Sequence, residues 1–285
     1  MDALWWVFQV KLSRAYRKMN KIVIVLVTHS SYKDVCNNFI ELYKKNWPDC
    51  PYSFMALTIG DTTQFENIST INYGTNCTLP GALYRVMASG EYDYCISFLG
   101  DAFINGRIKN NDVCSLINKL YKESIDYCCL IPRYPFRFKE KKINEYLRYV
   151  SSVDAYNISF VAFIASKKFV REEFKNNITD LEFEQKYLKR CISDSVIYCD
   201  KAILRKNIFN ICPGIDSGKW NRHAIRKLEK SNPEVTFTNR PIATPTEGIR
   251  SDIIQLLQLI IKRKHIVSIK QKLTKYMNFK FTTRF

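Results

Sequence analysis

The sequence predicts an α/β fold in which a mixed, mostly parallel β-sheet is flanked by helices. Uninterrupted apolar runs rich in β-branched residues, such as residues 21–27 (KIVIVLV), indicate strands that are buried on both faces. These runs alternate with segments of helical periodicity, which is the order expected of β–α–β units. The length of 285 residues and a hydrophobic fraction of 46% suffice for a sizeable core.

The first half of the chain is regular, and each predicted element ends at a polar or turn-forming segment. Trp47-Pro48-Asp49 ends the first predicted helix, and Gly90 ends the second. The predicted strands are residues 21–27, 52–59, 92–99 and 127–131, and the predicted helices are residues 34–46, 80–89 and about 113–121.

The second half is less regular. It contains a predicted strand at residues 158–165 and predicted helices at 168–174 and 180–190, followed by strands or loops near 196–198 and 208–211. Ser251 is a candidate N-cap for a long final helix. The resulting organisation is a basic amphipathic segment (1–20), one domain (21–250) and a basic amphipathic helical tail (251–285).

The net charge of +17 is concentrated at the two ends of the chain. Residues 1–21 contain five basic residues and one acidic residue, and residues 250–285 contain nine and one. Such segments suit an anionic surface, either a membrane or a nucleic acid. Apolar residues at helical spacing between the basic ones favour a membrane interface. The alternative is that these stripes pack on the domain or on a sister subunit, as in a homo-oligomer.

The sequence predicts a cytoplasmic protein on the inner face of the cell membrane. No apolar stretch reaches the ~20 residues that span a bilayer. Residues 4–10 do not resemble a signal peptide, because the basic residues follow this apolar stretch rather than precede it. The ten cysteines include no CxxC pair, which favours buried reduced thiols over disulfides or zinc.

The segment most informative about chemistry is residues 98–103 (FLGDAF). Asp101 directly follows a buried strand, and open α/β sheets bind their ligands at the carboxyl ends of strands. A carboxylate at this place can hold a divalent cation against a diphosphate. The alternative is an ordinary turn aspartate.

From about residue 22 to residue 240 the chain resembles bacterial GT-A-type glycosyltransferases of surface-polysaccharide (capsule or lipopolysaccharide) synthesis. The matching pieces occur in the family's order along the chain. They are the strand ending in Thr28-His29-Ser30, the helix and turn at 39–52 (FIELYKKNWPDCPY), the stretch 83–103 with the acidic motif, the segment 177–184 (NITDLEFE) and the closing loops Gly218-Lys219-Trp220 and Arg240-Pro241.

The resemblance implies a Rossmann-like GT-A fold and transfer from a nucleoside diphosphate sugar, most simply a UDP-sugar, to a glycolipid, lipid-linked or polysaccharide acceptor. It places the family's paired acids at Gly100 and Asp101, so one acid is missing, and Leu181 stands where the family has a tryptophan. Mg²⁺ or Mn²⁺ would therefore have Asp101 alone, beside diphosphate oxygens and waters. Otherwise Lys219, Arg222 or Arg240 would neutralise the charge of the donor's diphosphate.

The other candidate residues belong to the acceptor and nucleotide subsites. Residues two apart cannot share a helix face, so only one of Glu182 and Glu184 is expected to face the site as general base. Glu184 is the first choice, because the resemblance places the family's last acid there, and Glu182 is the second. The alternative for both is an acidic first helical turn. The candidates for nucleotide contacts are Thr28, His29, Ser30 and Asp61, and Arg85 is a candidate for the diphosphate.

Two other functions stay open. Gly100 is compatible with a degenerate scaffold that has lost activity. The net charge and residues 133–139 (RYPFRFK) are compatible with nucleic-acid binding, since basic residues interleaved with aromatic ones can contact phosphates and stack on bases. The chain has no RRM, KH or zinc-finger signature, so a nucleic-acid partner is not expected.

Overall fold

The computed structural model describes residues 21–132, 141–151, 158–190, 198–216, 218–237 and 240–247, together with residue 272. Eight strands form one sheet in the order β3-β2-β1-β4-β8-β6-β9-β7. Its strands are β1 (Ile22–His29), β2 (Ser53–Ile59), β3 (Ser69–Asn72), β4 (Tyr94–Leu99), β6 (Tyr127–Cys129), β7 (Leu147–Ser151), β8 (Ala162–Ser166) and β9 (Tyr198–Leu204). Short strands β5 (Ala102–Ile104) and β10 (Ile211–Pro213) pair with each other, as do β11 (Ile215–Asp216) and β12 (Lys219–Trp220).

Strands β3, β2, β1 and β4 are parallel neighbours, whereas β8 is antiparallel to both β4 and β6. The predicted fold class, an α/β protein with a mostly parallel, Rossmann-like sheet flanked by helices, is confirmed. The predicted basic tail lies outside the described residues. The prediction of buried strands is confirmed at β1, where Ile22, Ile24 and Leu26 face one side of the sheet and Val23, Val25 and Val27 face the other.

Helices cover both sides of the sheet. On the Ile24 side lie α1 (Lys33–Asn46), α3 (Asn110–Lys122) and α6 (Arg222–Ser231), and on the Val25 side lie α2 (Leu79–Ser89), α4 (Lys167–Glu173) and α5 (Asp180–Arg190). Side chains of Thr78, Ser166 and Asn221 cap the N-termini of α2, α4 and α6, respectively, by accepting hydrogen bonds from backbone amides. None of the helices in the described part of the chain is both long and apolar enough to cross a membrane.

The structure corrects the sequence-based assignment at several places in the second half. The strand predicted at 158–165 is β8, Ala162–Ser166, because residues 159 and 160 bind a side chain of α5 instead of continuing the ladder. Helix α6 was not predicted. Helical backbone begins again at residue 245, after a capping box in which Thr244 and Glu247 exchange hydrogen bonds. Ser251, the predicted N-cap, lies outside the described residues.

The strand order defines where a ligand crevice is expected. The chain passes outward from β1 to β2 and β3, and then returns to place β4 on the opposite side of β1. In open α/β sheets the crevice lies at the carboxyl ends of the two strands where the order reverses. Here those strands are β1 and β4, which end at His29 and Leu99.

Candidate functional site

Polar residues from three strand ends meet at the carboxyl edge of the sheet. The registers pair His29 with Ile59 and Val27 with Leu99, so the segments after β1, β2 and β4 are neighbours. The hydroxyl oxygen Oγ of Ser30 accepts a hydrogen bond from the backbone amide of Asp61 at 3.1 Å, which joins the first two segments.

His29 is exposed at this edge, and its ring is oriented by the following turn. Its Nδ1 accepts a hydrogen bond from the backbone amide of Ser31 at 3.1 Å. In the neutral ring the proton is therefore on Nε2. A Cβ on Gly60 would lie 2.9 Å from this Nε2 and 2.5 Å from Oγ of Ser30, and Gly60 also has a φ of +90°. Glycine is required at position 60 because the turn after β2 approaches these side chains so closely.

Asp101 lies two residues beyond β4 and is partly buried. Burial raises the pKa of its carboxyl from 3.8 to about 6, although a hydrogen bond with the backbone of Ile215 partly offsets this rise. A carboxylate with a raised pKa in a crevice is a common feature of functional sites.

The segment after β10 forms hydrogen bonds with Asp101. The amide of Gly214 donates to the backbone oxygen of Asp101 at 2.9 Å, and the hairpin β11–β12 begins at the next residue. Trp220 packs against Phe103 and Phe237 with ring centroids 5.9 and 5.6 Å apart, which fixes the hairpin on the domain. Residue 214 is glycine because a Cβ there would lie 2.2 Å from the ring of Phe103.

Gly100 and Cys36 pack tightly against each other beside Asp101. A Cβ on Gly100 would lie 2.5 Å from Sγ of Cys36, a side chain of α1 that is fully buried. The thiol donates to Oγ1 of Thr28 at 3.0 Å, and burial raises the pKa of the thiol to about 12. A side chain at position 100 would have to displace Cys36. The packing of the core therefore favours glycine, rather than a second acidic residue, at this position.

This packing decides what kind of metal site fits. A two-carboxylate site at positions 100 and 101 does not fit, because the space beside Gly100 is filled by Cys36. Within the described ranges there is no group of three or more His, Cys, Asp or Glu residues that could hold a metal ion. Asp101 with diphosphate oxygens and waters does fit Mg²⁺ or Mn²⁺, which often take one or two protein ligands beside phosphate.

Arg240 reaches the same edge of the sheet from the other end of the chain. Its Nε and Nη2 donate to the two carboxylate oxygens of Asp34 at 2.8 and 2.9 Å, and Nη2 also donates to the backbone oxygen of Ser31 at 2.6 Å. Its guanidinium lies 4.2 Å from the centroid of the Tyr32 ring. Arg240 therefore fixes the turn after β1, and two of its nitrogens are already bound to protein oxygens.

The other predicted cations lie at separate places. Nζ of Lys219 lies 2.7 Å from Oε1 of Glu247. This hydrogen bond, together with those from Thr244, lowers the pKa of Glu247 to about 2. Nε of Arg222 donates to the backbone oxygen of Ala243 at 3.2 Å. Arg85 is exposed on α2, with its guanidinium 5.4 Å from the centroid of the Tyr73 ring. Lys219 thus belongs to the hairpin and Arg222 follows it closely, whereas Arg85 lies beside Tyr73, the residue after β3.

Glu184 is held at the carboxyl edge beside β4. Its Oε1 accepts hydrogen bonds from Oγ of Ser159 and from the backbone amide of Phe160, both at 2.9 Å. The next residue, Val161, accepts a hydrogen bond from the amide of Leu99 at 2.8 Å. Because neighbouring strands lie about 4.8 Å apart, the segment that anchors Glu184 runs beside the segment that carries Asp101.

Glu182 has a different environment. Its Oε2 accepts hydrogen bonds from the amide and the hydroxyl of Thr179, while Oγ1 of Thr179 accepts from the amide of Glu182. This is a capping box at the start of α5. The backbone amide of Thr179 lowers the pKa of Glu182, a change that weakens a general base. The geometry therefore favours Glu184 over Glu182, and the catalytic role of each stays a prediction.

Four contributions to this site were not anticipated from the sequence. They come from Tyr32, Asp34, Cys36 and the backbone of Ile215. Arg240 and Asp34 are 206 positions apart, and no local pattern connects them. The two capping boxes, by contrast, carry a readable signal, since Thr179-Asp180-Leu181-Glu182 and Thr244-Pro245-Thr246-Glu247 both match T-x-x-E.

Comparison with protein-family models gives no match, and no curated protein matches the chain. Similar solved structures include residues 1–349 of TarS from S. aureus, with 9% identity, a TM-score of 0.42, and coverage of 65% of this chain and 58% of that chain. The same TarS segment in complex with UDP gives 11% identity, a TM-score of 0.39, and coverage of 76% and 67%.

A cytidylyltransferase from Leptospira borgpetersenii has 12% identity and a TM-score of 0.38, with coverage of 77% of this chain and 100% of that chain. In the first alignment with TarS, the chain spans 58% of the TarS segment, which is less than two thirds of its length. Similarity at these TM-scores does not assign an activity to the chain.

Proposed function

We propose that the chain is a glycosyltransferase that moves a sugar, of hexosyl type, from a nucleoside diphosphate sugar to an acceptor hydroxyl. The observation that carries this proposal is the partly buried carboxylate of Asp101 at the strand end where the sheet order reverses. The exposed polar ends of β1 and β2 supply the adjoining surface for the nucleotide, and a UDP-sugar is the first donor to test.

The described residues supply distinct parts of such a reaction. The acceptor oxygen would bond to the anomeric carbon as the bond from that carbon to the diphosphate breaks, and Glu184 would take the acceptor's proton. The Nε2–H of His29 can donate to a carbonyl of the nucleobase, and Asp101 can accept from hydroxyls of the donor. A divalent cation, when bound by Asp101, would neutralise charge on the leaving diphosphate.

The acceptor and the location are further parts of the proposal. A lipid-linked or polysaccharide acceptor at the cytoplasmic membrane face is consistent with the basic amphipathic segments at 1–20 and 251–285. Apart from residue 272, these segments and the basic aromatic stretch 133–139 lie outside the described residues, so this support comes from the sequence.

A second candidate function has its own observation. The fit of Cys36 against Gly100 rules out paired carboxylates, and this favours a scaffold that binds a nucleotide without transferring a sugar. The two candidates differ in one measurable respect, because both bind a nucleoside diphosphate but only the first consumes a sugar nucleotide in the presence of an acceptor.

A thermal-shift screen tests nucleotide binding. UDP-, GDP-, CMP- and dTDP-sugars are each added to the full chain with Mg²⁺, with Mn²⁺ and with EDTA. At a ligand concentration 100 times Kd the free energy of unfolding rises by about 2.7 kcal/mol, which raises the melting temperature by several degrees. If no sugar nucleotide raises the melting temperature under any of these conditions, both candidate functions are contradicted.

Glu184→Gln tests the general base. The amide oxygen of glutamine can still accept from Ser159 and Phe160, so we expect a folded protein whose kcat falls about 10²–10⁴-fold while donor binding is kept. The matched control is Glu182→Gln on the same helix, which preserves a capping box. A Glu184→Gln variant with wild-type kcat, or an equal loss in both variants, would contradict the assignment.

A further inference from the structure

Helix α6 presents a stripe of exposed cationic side chains to solvent. Arg226, Lys227 and Lys230 are exposed, and His223 completes the stripe. These positions are spaced i, i+3, i+4 and i+7, so they share one face of the helix. The opposite face, formed by Ala224, Ile225 and Leu228, is buried in the core.

The charges of this stripe are not neutralised locally. The ion pairs between described residues include none of Arg226, Lys227 and Lys230. Glu229 is the acidic residue of the helix, and it lies at the side of the stripe rather than within it. Three cations that form no ion pair with another described residue, and that share one helix face, form a surface that is complementary to an anionic one.

Two features beside the first turn of α6 distinguish among anionic partners. Ile242, which is 46% exposed, forms a β-bridge with Trp220 directly before the helix. Residues 243–247 lie against the same turn through Arg222 and Lys219. The chain then continues into the segment 250–285 with its nine basic residues. Ile242 thus adds an exposed apolar side chain near the N-terminal end of the helix that carries the stripe, and the interface of a lipid bilayer accommodates both kinds of group.

We propose that the α6 stripe, together with Ile242, is a docking surface for an anionic lipid bilayer. This inference rests on the membrane location in the proposed function, and it names the surface that contacts the membrane. It does not depend on the transfer reaction, because Arg226, Lys227 and Lys230 are not among the residues assigned to that reaction and the readout is vesicle binding.

The test compares two matched triple variants of the full chain. The first is Arg226→Gln/Lys227→Gln/Lys230→Gln on α6. The second is Lys168→Gln/Arg171→Gln/Lys175→Gln, on and just after α4, where the helix covers the opposite side of the sheet. Cosedimentation is measured with vesicles of phosphatidylcholine alone and of phosphatidylcholine with phosphatidylglycerol, and melting temperatures verify that both variants fold.

Each basic residue near an anionic leaflet strengthens binding about fivefold, so the α6 variant should bind phosphatidylglycerol vesicles about 100-fold more weakly than wild type. The α4 variant should bind as wild type does, and high salt should weaken wild-type binding. Equal losses in both variants, or no loss in either, would overturn the proposal. It would also be overturned if a single-stranded oligonucleotide, but not the vesicles, bound through α6.

Discussion

Replacing Asp101 with Asn is expected to stabilise the protein at pH 7 while weakening donor binding. Burial raises the pKa of the Asp101 carboxyl from 3.8 to about 6, so keeping this group ionised in the folded protein costs about 2–3 kcal/mol. Asparagine is neutral, and its amide oxygen can still accept a hydrogen bond from the backbone of Ile215. A functional residue whose replacement stabilises the fold is typical of sites that trade stability for activity.

The sign of the pH dependence follows from the direction of the shift. Below pH 3.8 the carboxyl is protonated in both the folded and the unfolded chain, and it costs nothing. Between pH 4 and 6 the unfolded chain loses its proton first, so the stability of the wild-type protein falls as pH rises. Above pH 6 the full cost is present. The advantage of Asp101→Asn should therefore be largest at pH 7 and shrink toward pH 4.

Urea unfolding at several pH values, without divalent cations, measures this effect. Asp61→Asn serves as a stability control, because Asp61 is an exposed carboxylate on the same edge of the sheet. We expect no stability gain in this control. If Asp101→Asn is destabilising at pH 7, or if its gain is the same at every pH, the carboxylate is not buried as described.

Gly100→Ala is expected to destabilise the wild-type protein by about 2 kcal/mol, and the same change should be nearly neutral in a Cys36→Ala background. In the wild type the new Cβ would lie 2.5 Å from Sγ of Cys36, and overpacking of this kind typically costs about 1–3 kcal/mol. When the sulfur is removed, the nearest atom of residue 36 is its Cβ at 3.9 Å, which is an ordinary contact.

A double-mutant cycle measured by urea unfolding tests this pair. Cys36→Ala alone loses a buried thiol and its hydrogen bond to Thr28, and this loss cancels in the cycle. The coupling energy between positions 36 and 100 should be about 2 kcal/mol. A coupling energy near zero would show that Gly100 is not restrained by Cys36.

The same pair determines how a second acid can be introduced. Gly100→Asp alone places a larger side chain against Cys36, so it should unfold the site rather than create a metal ligand. Gly100→Asp in the Cys36→Ala background has room for the carboxylate, and it should bind Mn²⁺ more tightly than Cys36→Ala does. Titration calorimetry with Mn²⁺ alone provides this comparison without any assay of transfer.

Strands β1, β4 and β6 were predictable because burial on both faces leaves a continuous apolar pattern. Strands β3 and β7, at the two edges of the sheet, were not predicted. The position of Asp101 followed from its strand, since a residue just past a buried parallel strand must lie at the carboxyl edge. Helix α6 was readable from the sequence, since Asn221 is a good N-cap residue and Ala224, Ile225 and Leu228 recur at helical spacing. It was not predicted because the segment is otherwise very polar.

The details that give the site its chemistry depend on contacts that are distant in sequence. Cys36 and Gly100 come together only through the packing of α1 on the sheet, and the raised pKa of Asp101 comes from its burial in the folded chain. The preference for Glu184 over Glu182 depends on contacts that only the structure shows. Glu184 accepts a hydrogen bond from the backbone amide of Phe160, whereas Glu182 belongs to the capping box of α5.

Isothermal titration of UDP into wild-type protein and into Asp101→Asn, with Mn²⁺ and with EDTA, tests most directly whether Asp101 is the centre of a donor site. We expect wild-type protein to bind UDP, and Asp101→Asn to bind at least tenfold more weakly in Mn²⁺ while remaining folded. If wild-type protein binds no nucleoside diphosphate, or if Asp101→Asn binds UDP as tightly as wild type in both conditions, the donor site is not at Asp101.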